Sequence, residues 1–235
     1  MHYEWLLFDA DGTLFDYEAA EEAALTWTFD GAGLAFDADL LAAYQRINGQ
    51  LWQDFEAGKT TPDRIKVDRF ADLLSYLAEA RGIEPPISAV EFSQVYLTNL
   101  GNCTHLIADA QDVLDAARTS ARLALITNGL SAVQRSRLAK SGLDAVFEAV
   151  TISEEEGVAK PDPRLFDIAF RRMGEPAKEA VLMIGDSLTS DMRGAARYGI
   201  DACWFNPEGA PHDPQVPVRY EIRALRELLQ FLPGT

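Results

Sequence analysis

The first feature of the chain to constrain its fold is an apolar run, Tyr3 to Phe8, that stops abruptly at Asp9, Asp11 and Gly12. A short apolar run closed by a turn-forming sequence reads as a buried strand entering a loop, with the acidic residues at its carboxyl end. Comparable runs recur at Arg122 to Thr127, Ala149 to Ile152, Ala180 to Ile184 and Asp201 to Trp204. Between them, Asp109 to Thr119, Ser131 to Ser141, Pro163 to Met173 and Thr189 to Tyr198 space their apolar residues three or four apart, as amphipathic helices do. Gly142 and Gly199 follow two of these as helix stops. The alternation predicts an α/β fold, a Rossmann-like parallel sheet with helical crossovers, closed by a last helix over Glu221 to Phe231.

From Tyr17 to Asn102 the rhythm breaks. Helical patterns at Glu18 to Phe29, Ala38 to Asn48 and Pro62 to Arg81 continue there without strands, and Pro85 and Pro86 punctuate the stretch. The organisation expected is a catalytic core from residues 1–16 and 103–235, with residues 17–102 inserted as an all-helical cap domain. A lid of this kind excludes water and selects substrates.

A formal net charge of -16 disfavours nucleic acid and anionic membrane surfaces as partners, since both are bound chiefly through basic residues. No stretch approaches the roughly 20 apolar residues of a membrane span. The amino terminus has no basic leader or small-residue cleavage site, so the location expected is cytoplasmic. Cys103 and Cys203 have neither CxxC nor zinc-ligand spacing and read as incidental thiols. Charge leaves monomer and dimer both open.

Four short segments follow four of the predicted strands: DADGT (9–13), TNG (127–129), KP (160–161) and GDSLTSD (185–191). In a parallel sheet these positions converge on the edge where open α/β proteins bind ligands. Asp9, Asp11 and Asp186 supply the hard oxygen ligands that Mg2+ prefers, and without a cation they would repel one another. With one bound, Asp9 is placed to attack phosphorus, and Asp11 to act as general acid and then general base. Thr127, Asn128 and Gly129 precede a helix, whose first amides bind anions, and Lys160 adds a positive charge for the transferred oxygens. Asp191 supports Lys160 or the metal, while Gly12 and Gly185 permit tight turns. TNG, KP or an Asp-Gly pair alone is common in plain turns. The four in order, each after a strand, are not explained by turns.

The set DADGTLF, TNG, KPDPRLF and GDSLTSD resembles the ordered motifs of the haloacid dehalogenase superfamily over essentially the whole chain. The resemblance implies a helical cap after the first motif, Asp9 as nucleophile, Asp11 as acid/base and as a magnesium ligand through its carbonyl, Thr127 and Lys160 as phosphate binders, and Asp186 as a magnesium ligand. The dehalogenase branch lacks the second aspartate, so Asp11 favours phosphoryl chemistry. LFDADGTLFD, INGQLWQDFEAGKTT, LITNGLSAVQRSRL and ISEEEGVAKPDPRLF are similar to bacterial pyrimidine 5'-nucleotidases, which implies a nucleoside monophosphate substrate. HLIADA (105–110) departs from the Pro-Gly-Ala of many relatives, which implies an altered loop. A phosphatase or phosphomutase for another small metabolite is the alternative, and a non-catalytic binding relative is a further one.

Asn48 and Trp52 are one helical turn apart and could contact a nucleobase, against the plainer reading of cap core. Lys59, Arg64, Lys66 and Arg69, interspersed with Asp63 and Asp68, read as a solvated, salt-bridged face. Trp5, Trp27 and Trp204 are expected to pack cores, Glu154 to Glu156 to be exposed charge, and residues 207–217 to form a surface loop. His2, His105 and His212 show no metal-binding or catalytic pattern.

Overall fold

The computed structural model describes residues 3–232, so the reading of His2 lies outside the described residues. The chain divides into two compact units, Met1–Tyr17 with Thr104–Thr235 and, inserted between them, Glu18–Cys103.

The first unit is built on a six-stranded parallel sheet: β1 (Trp5–Phe8), β2 (Arg122–Thr127), β3 (Ala149–Ile152), β4 (Val181–Gly185), β5 (Asp201–Phe205) and β6 (Tyr220–Ile222), in the order β3-β2-β1-β4-β5-β6. β1 is central, Phe8 lying level with Leu125 of β2 and Ile184 of β4. A sheet covered on both faces demands apolar residues at every strand position, which WLLF and VLMIG supply. Leu6 and Phe8 point into one core with Val113 and Leu114 of α5 (Ala110–Ala117) and Leu138 of α6 (Ser131–Ser141). Trp5 and Leu7 point into the other, against Leu165, Phe166 and Ala169 of α8 (Pro163–Arg172) and Ala195 of α9 (Arg193–Tyr198).

The second unit holds α1 (Tyr17–Gly31), α2 (Ala38–Glu56), α3 (Pro62–Arg81) and α4 (Ala89–Leu100). Tyr44, Phe70, Phe92 and Tyr96 form its aromatic centre, with Phe29 joined to Phe92 at 5.0 Å between ring centroids. Local signals set its helix ends. Thr61 caps α3 ahead of Pro62, Gly82 ends it in the left-handed conformation, and Ser88 and Glu91 form a capping box on α4. That box was the signal available for α4, a helix the periodicity reading of the insertion does not include.

Other expectations need correction. The C-terminal segment is not one helix: Tyr220–Ile222 pairs with β5, and a 3-10 stretch, Leu225–Phe231, follows. Ile222 is fully buried, which favours a strand seated on the sheet edge over a surface helix. Trp27 is 49% exposed, because the buried stripe of α1 runs through Ala20, Ala24 and Thr28 and misses it. Arg69 is not solvated. It shares the buried stripe of α3 with Ile65 and Leu73, donates to the Tyr44 hydroxyl at 3.2 Å and to Asn48 Oδ1 at 3.3 Å, and lies against the rings of Phe70 and Tyr96. Its neighbours do form surface pairs: Arg64 with Asp68, Lys66 with Asp63, and Lys59 with Asp54. Glu154, Glu155 and Glu156 are not idle charge, since they bind the Ser131 amide, Arg135 and Arg172, tying α7 (Ser153–Glu156) to α6 and α8.

Among the described residues no helix is long and apolar enough to cross a membrane. Leu7→Ala, at the buried centre of the sheet, is expected to lower stability by about 3 kcal/mol. Ser88→Ala is expected to cost about 1 kcal/mol through loss of the α4 cap. Urea unfolding followed by circular dichroism checks both.

Candidate active site

Asp9 follows β1, Thr127 ends β2, Gly185 ends β4, and Lys160 lies past β3 and α7, so the strand order brings all four segments to one edge of the sheet. Lys160 is 1% exposed, and its ammonium donates to Asp9 Oδ1 at 2.5 Å, Asp191 Oδ1 at 2.7 Å and the Ile126 carbonyl at 2.9 Å. All three ammonium protons are thereby directed, as burial of a charge requires. The Lys160 backbone is fixed as well. Asn128 accepts from its amide and donates to its carbonyl, both at 2.8 Å, so the loop after β2 carries the lysine, whose bond to Pro161 is cis.

Asp9, Asp186 and Asp191 present oxygens that all lie within 4.8 Å of one another. Three carboxylates around one buried ammonium leave excess negative charge. Burial raises the Asp9 carboxyl well above its usual range; Lys160 opposes the rise, and Asp191 and Asp186 add to it. Burial and then Asp191 push Asp186 up to about 7. For Lys160 burial pulls downward, but Asp191 and Asp9 outweigh it and the net direction is up. Hard oxygen donors with surplus negative charge in a low-dielectric site match the needs of a divalent cation.

Asp186 is steadied by the Thr13 hydroxyl at 3.2 Å and, through its carbonyl, by the Trp204 indole at 2.7 Å. Asp191 Oδ2 accepts from the Ser187 amide at 3.0 Å. Two glycines make room for these carboxylates. A Cβ on Gly12, which also has φ +80°, would strike Asp186, and one on Gly185 would strike Asp191. Gly185 thus serves close approach rather than a positive-φ turn, a distinction invisible in the sequence.

Asp11 is outside the three-carboxylate cluster. Its Oδ2 accepts from Gln134 Nε2 at 2.5 Å, and its Oδ1 is ion-paired with Arg137 Nη1. Neither α6 residue was singled out from the sequence. The available signal was their place on the buried stripe Val133, Gln134, Arg137 and Leu138, where polar side chains need a reason. Gln134 also donates to Thr127 Oγ1 at 3.4 Å, and a Cβ on Gly129 would collide with its side chain.

Within the helical unit, Asn48 is buried, its amide donating to Glu21 at 3.3 Å and accepting from Arg69. Trp52 is half-buried, with its ring edge-on to Phe55 at 5.7 Å. Both cysteines are buried and outside any disulfide, and burial pushes the Cys203 thiol up to about 12. The ring of Trp204 lies 5.9 Å from that of His212.

The raised Asp186 carboxyl gives a sign for pH. Its protonated form favours the fold at low pH, and this contribution is lost as pH rises from the ordinary value of 3.8 through about 7. Magnesium chloride against chelator is therefore expected to raise the melting temperature more at about pH 8 than at about pH 5, as scanning fluorimetry would show. Asp191→Asn, which removes a charged partner of the buried Lys160 ammonium, is expected to lower stability by about 3 kcal/mol in urea unfolding.

A family model described as haloacid dehalogenase-like hydrolase matches residues 3–199. The HAD-hydrolase YfnB of Bacillus subtilis is 38% identical over 98% of this chain and 95% of its own. Its magnesium-bound crystal structure superimposes with a TM-score of 0.90 at 37% identity, covering 99% of this chain and 100% of that one. The pyrimidine 5'-nucleotidase YjjG of Escherichia coli is 32% identical over 99% of both chains, and the pyrimidine 5'-nucleotidase PynA of Streptococcus pneumoniae 35% identical over 99% of this chain and 96% of its own. With its ordered motifs gathered at one sheet edge and these full-length likenesses, the chain belongs to the haloacid dehalogenase-like hydrolase family.

Proposed function

We propose that the chain is a magnesium-dependent 5'-nucleotidase that hydrolyses pyrimidine nucleoside monophosphates through an aspartyl-phosphate on Asp9. The observation that carries this reading is the buried Lys160 ammonium held between Asp9 and Asp191 beside Asp186. Asp9 and Asp186, with the Asp11 main-chain carbonyl, are the groups that would hold Mg2+, which when bound offsets the carboxylate repulsion and neutralises charge on the phosphoryl group.

Asp9 attacks phosphorus with a carboxylate oxygen as the bond to the 5'-oxygen breaks. Lys160, Thr127 and the amides of Asn128 and Gly129 face the charge spread over the transferred oxygens, the chief source of acceleration in phosphoryl transfer. Asp11 gives its proton to the departing 5'-alkoxide. It then takes a proton from the water that attacks phosphorus, releasing phosphate and restoring Asp9.

The substrate class rests on the two pyrimidine 5'-nucleotidases similar over the full chain. Residues 17–102 are assigned the role of a substrate-selecting cap, with Trp52 and Asn48 as its candidate base-contacting pair. Asn48 would act there chiefly by setting the face on which Trp52 stands, since its own amide is engaged with Glu21 and Arg69.

Phosphate release from a panel of nucleoside monophosphates and sugar phosphates, with magnesium or chelator, tests the assignment. Magnesium-dependent release strongest with pyrimidine monophosphates is expected. Asp9→Asn should fall to background, and Asp11→Asn by about 10²- to 10⁴-fold. Preference for sugar phosphates would overturn the substrate, and transfer of phosphate back to substrate would indicate a mutase.

A further inference from the structure

We propose that Gln134 and Arg137 are positioning residues that set the Asp11 carboxylate relative to the phosphate-binding Thr127; the proposal rests on the general acid and base role given to Asp11 above. Asp11 is in a loop, and its side chain is a quarter exposed. An aspartate so placed has several rotamers open to it, and proton transfer needs one.

The restraint comes from α6. Arg137 is fully buried, stacked 4.2 Å from the centroid of the Phe15 ring, and ion-paired with one Asp11 oxygen. Gln134, one helical turn earlier and 1% exposed, donates to the other oxygen. The carboxylate is therefore gripped at both oxygens by two side chains of one helix face. Gln134 also reaches Thr127 Oγ1, so one amide spans the acid/base and the phosphate-binding hydroxyl.

A purely structural origin does not account for the choice of residues. α6 turns the stripe carrying Val133 and Leu138 into the core, and packing there would be served by apolar side chains. An arginine on that stripe carries a desolvation cost that a hydrophobic residue would avoid. The glycine of the TNG segment fits the same device, because any side chain at 129 would occupy the space of Gln134.

The test compares Gln134→Leu, Arg137→Met and Arg137→Lys with wild type on a nucleoside monophosphate and on p-nitrophenyl phosphate. The aryl leaving group departs without a proton, so in kcat/KM, which reports formation of the aspartyl-phosphate before Asp11 acts as base, loss of acid positioning spares it. On the nucleotide, kcat/KM of Arg137→Met is expected to fall about a hundredfold with KM little changed. The loss on the aryl ester should be about a tenth as large, and Arg137→Lys should recover part of it. In an Asp11→Asn background, Gln134→Leu should subtract nothing further.

Equal losses of kcat/KM on the two esters, a change confined to KM, or full additivity with Asp11→Asn would overturn the proposal. Circular dichroism establishes folding, and Gln134→Leu carries the test if Arg137→Met does not fold. If wild type cleaves other alkyl phosphates but no pyrimidine nucleotide, the substrate assignment fails separately. The same comparison on the ester that is cleaved still decides the roles of Gln134 and Arg137.

Discussion

The ammonium of Lys160 is the point from which the geometry of the core unit's sheet edge is set. A buried cation must be met on every side by acceptors, and the three that meet Lys160 come from three parts of the chain: Asp9 after β1, the Ile126 carbonyl in β2, and Asp191 after β4. The lysine itself arrives from beyond β3, its backbone clasped by Asn128. One side chain therefore fixes the mutual positions of the loops that leave four neighbouring strands. Moving any of them leaves a buried charge short of a partner, a larger cost than losing a surface contact.

The acidity of the site follows from the same contact. Lys160 can neutralise only part of the charge of Asp9, Asp186 and Asp191, and burial already raises the carboxyls of Asp9 and Asp186. The folded chain thus holds an electrostatic deficit that one further cation at this position relieves. The fold secures the crowding sterically through Gly12 and Gly185, where a methyl group would displace Asp186 or Asp191. Net charge of the whole chain has little bearing on this, because the balance is struck within a few ångströms.

How much of this was legible in the sequence depended on whether a residue's role is local. Strands such as Arg122–Thr127 and Ala149–Ile152, and helices such as Ser131–Ser141 and Pro163–Arg172, follow from apolar period and caps, and the structure has them where the pattern put them. That Asp9, Thr127, Lys160 and Asp186 come to one edge was expected from a parallel sheet alone, without its strand order. What escaped were roles set by distant partners. Tyr220–Ile222 is a strand only because β5 offers an edge. Arg69 looks like one more surface charge until α2 supplies Tyr44 and Asn48. Gln134 and Arg137 share the stripe of Val133 and Leu138, but what they meet there is not visible locally, because their partner Asp11 is more than a hundred positions away.

Those two residues also bear on why a single α6 segment should serve both halves of the proposed reaction. Thr127 ends β2, Asn128 and Gly129 lie in the loop that enters α6, and the first turns of that helix hold Asp11 through Gln134 and Arg137. Gln134 donates both to Asp11 and to Thr127 Oγ1, so the distance between the proposed phosphate-holding hydroxyl and the proposed acid/base is set through one side chain of α6. Asp9, by contrast, is placed by β1 and by Lys160. The proposed nucleophile and the proposed acid/base are two residues apart in sequence yet are anchored to different rigid elements, which lets the Asp11 side chain be tuned through α6 without disturbing the Asp9–Lys160 pair.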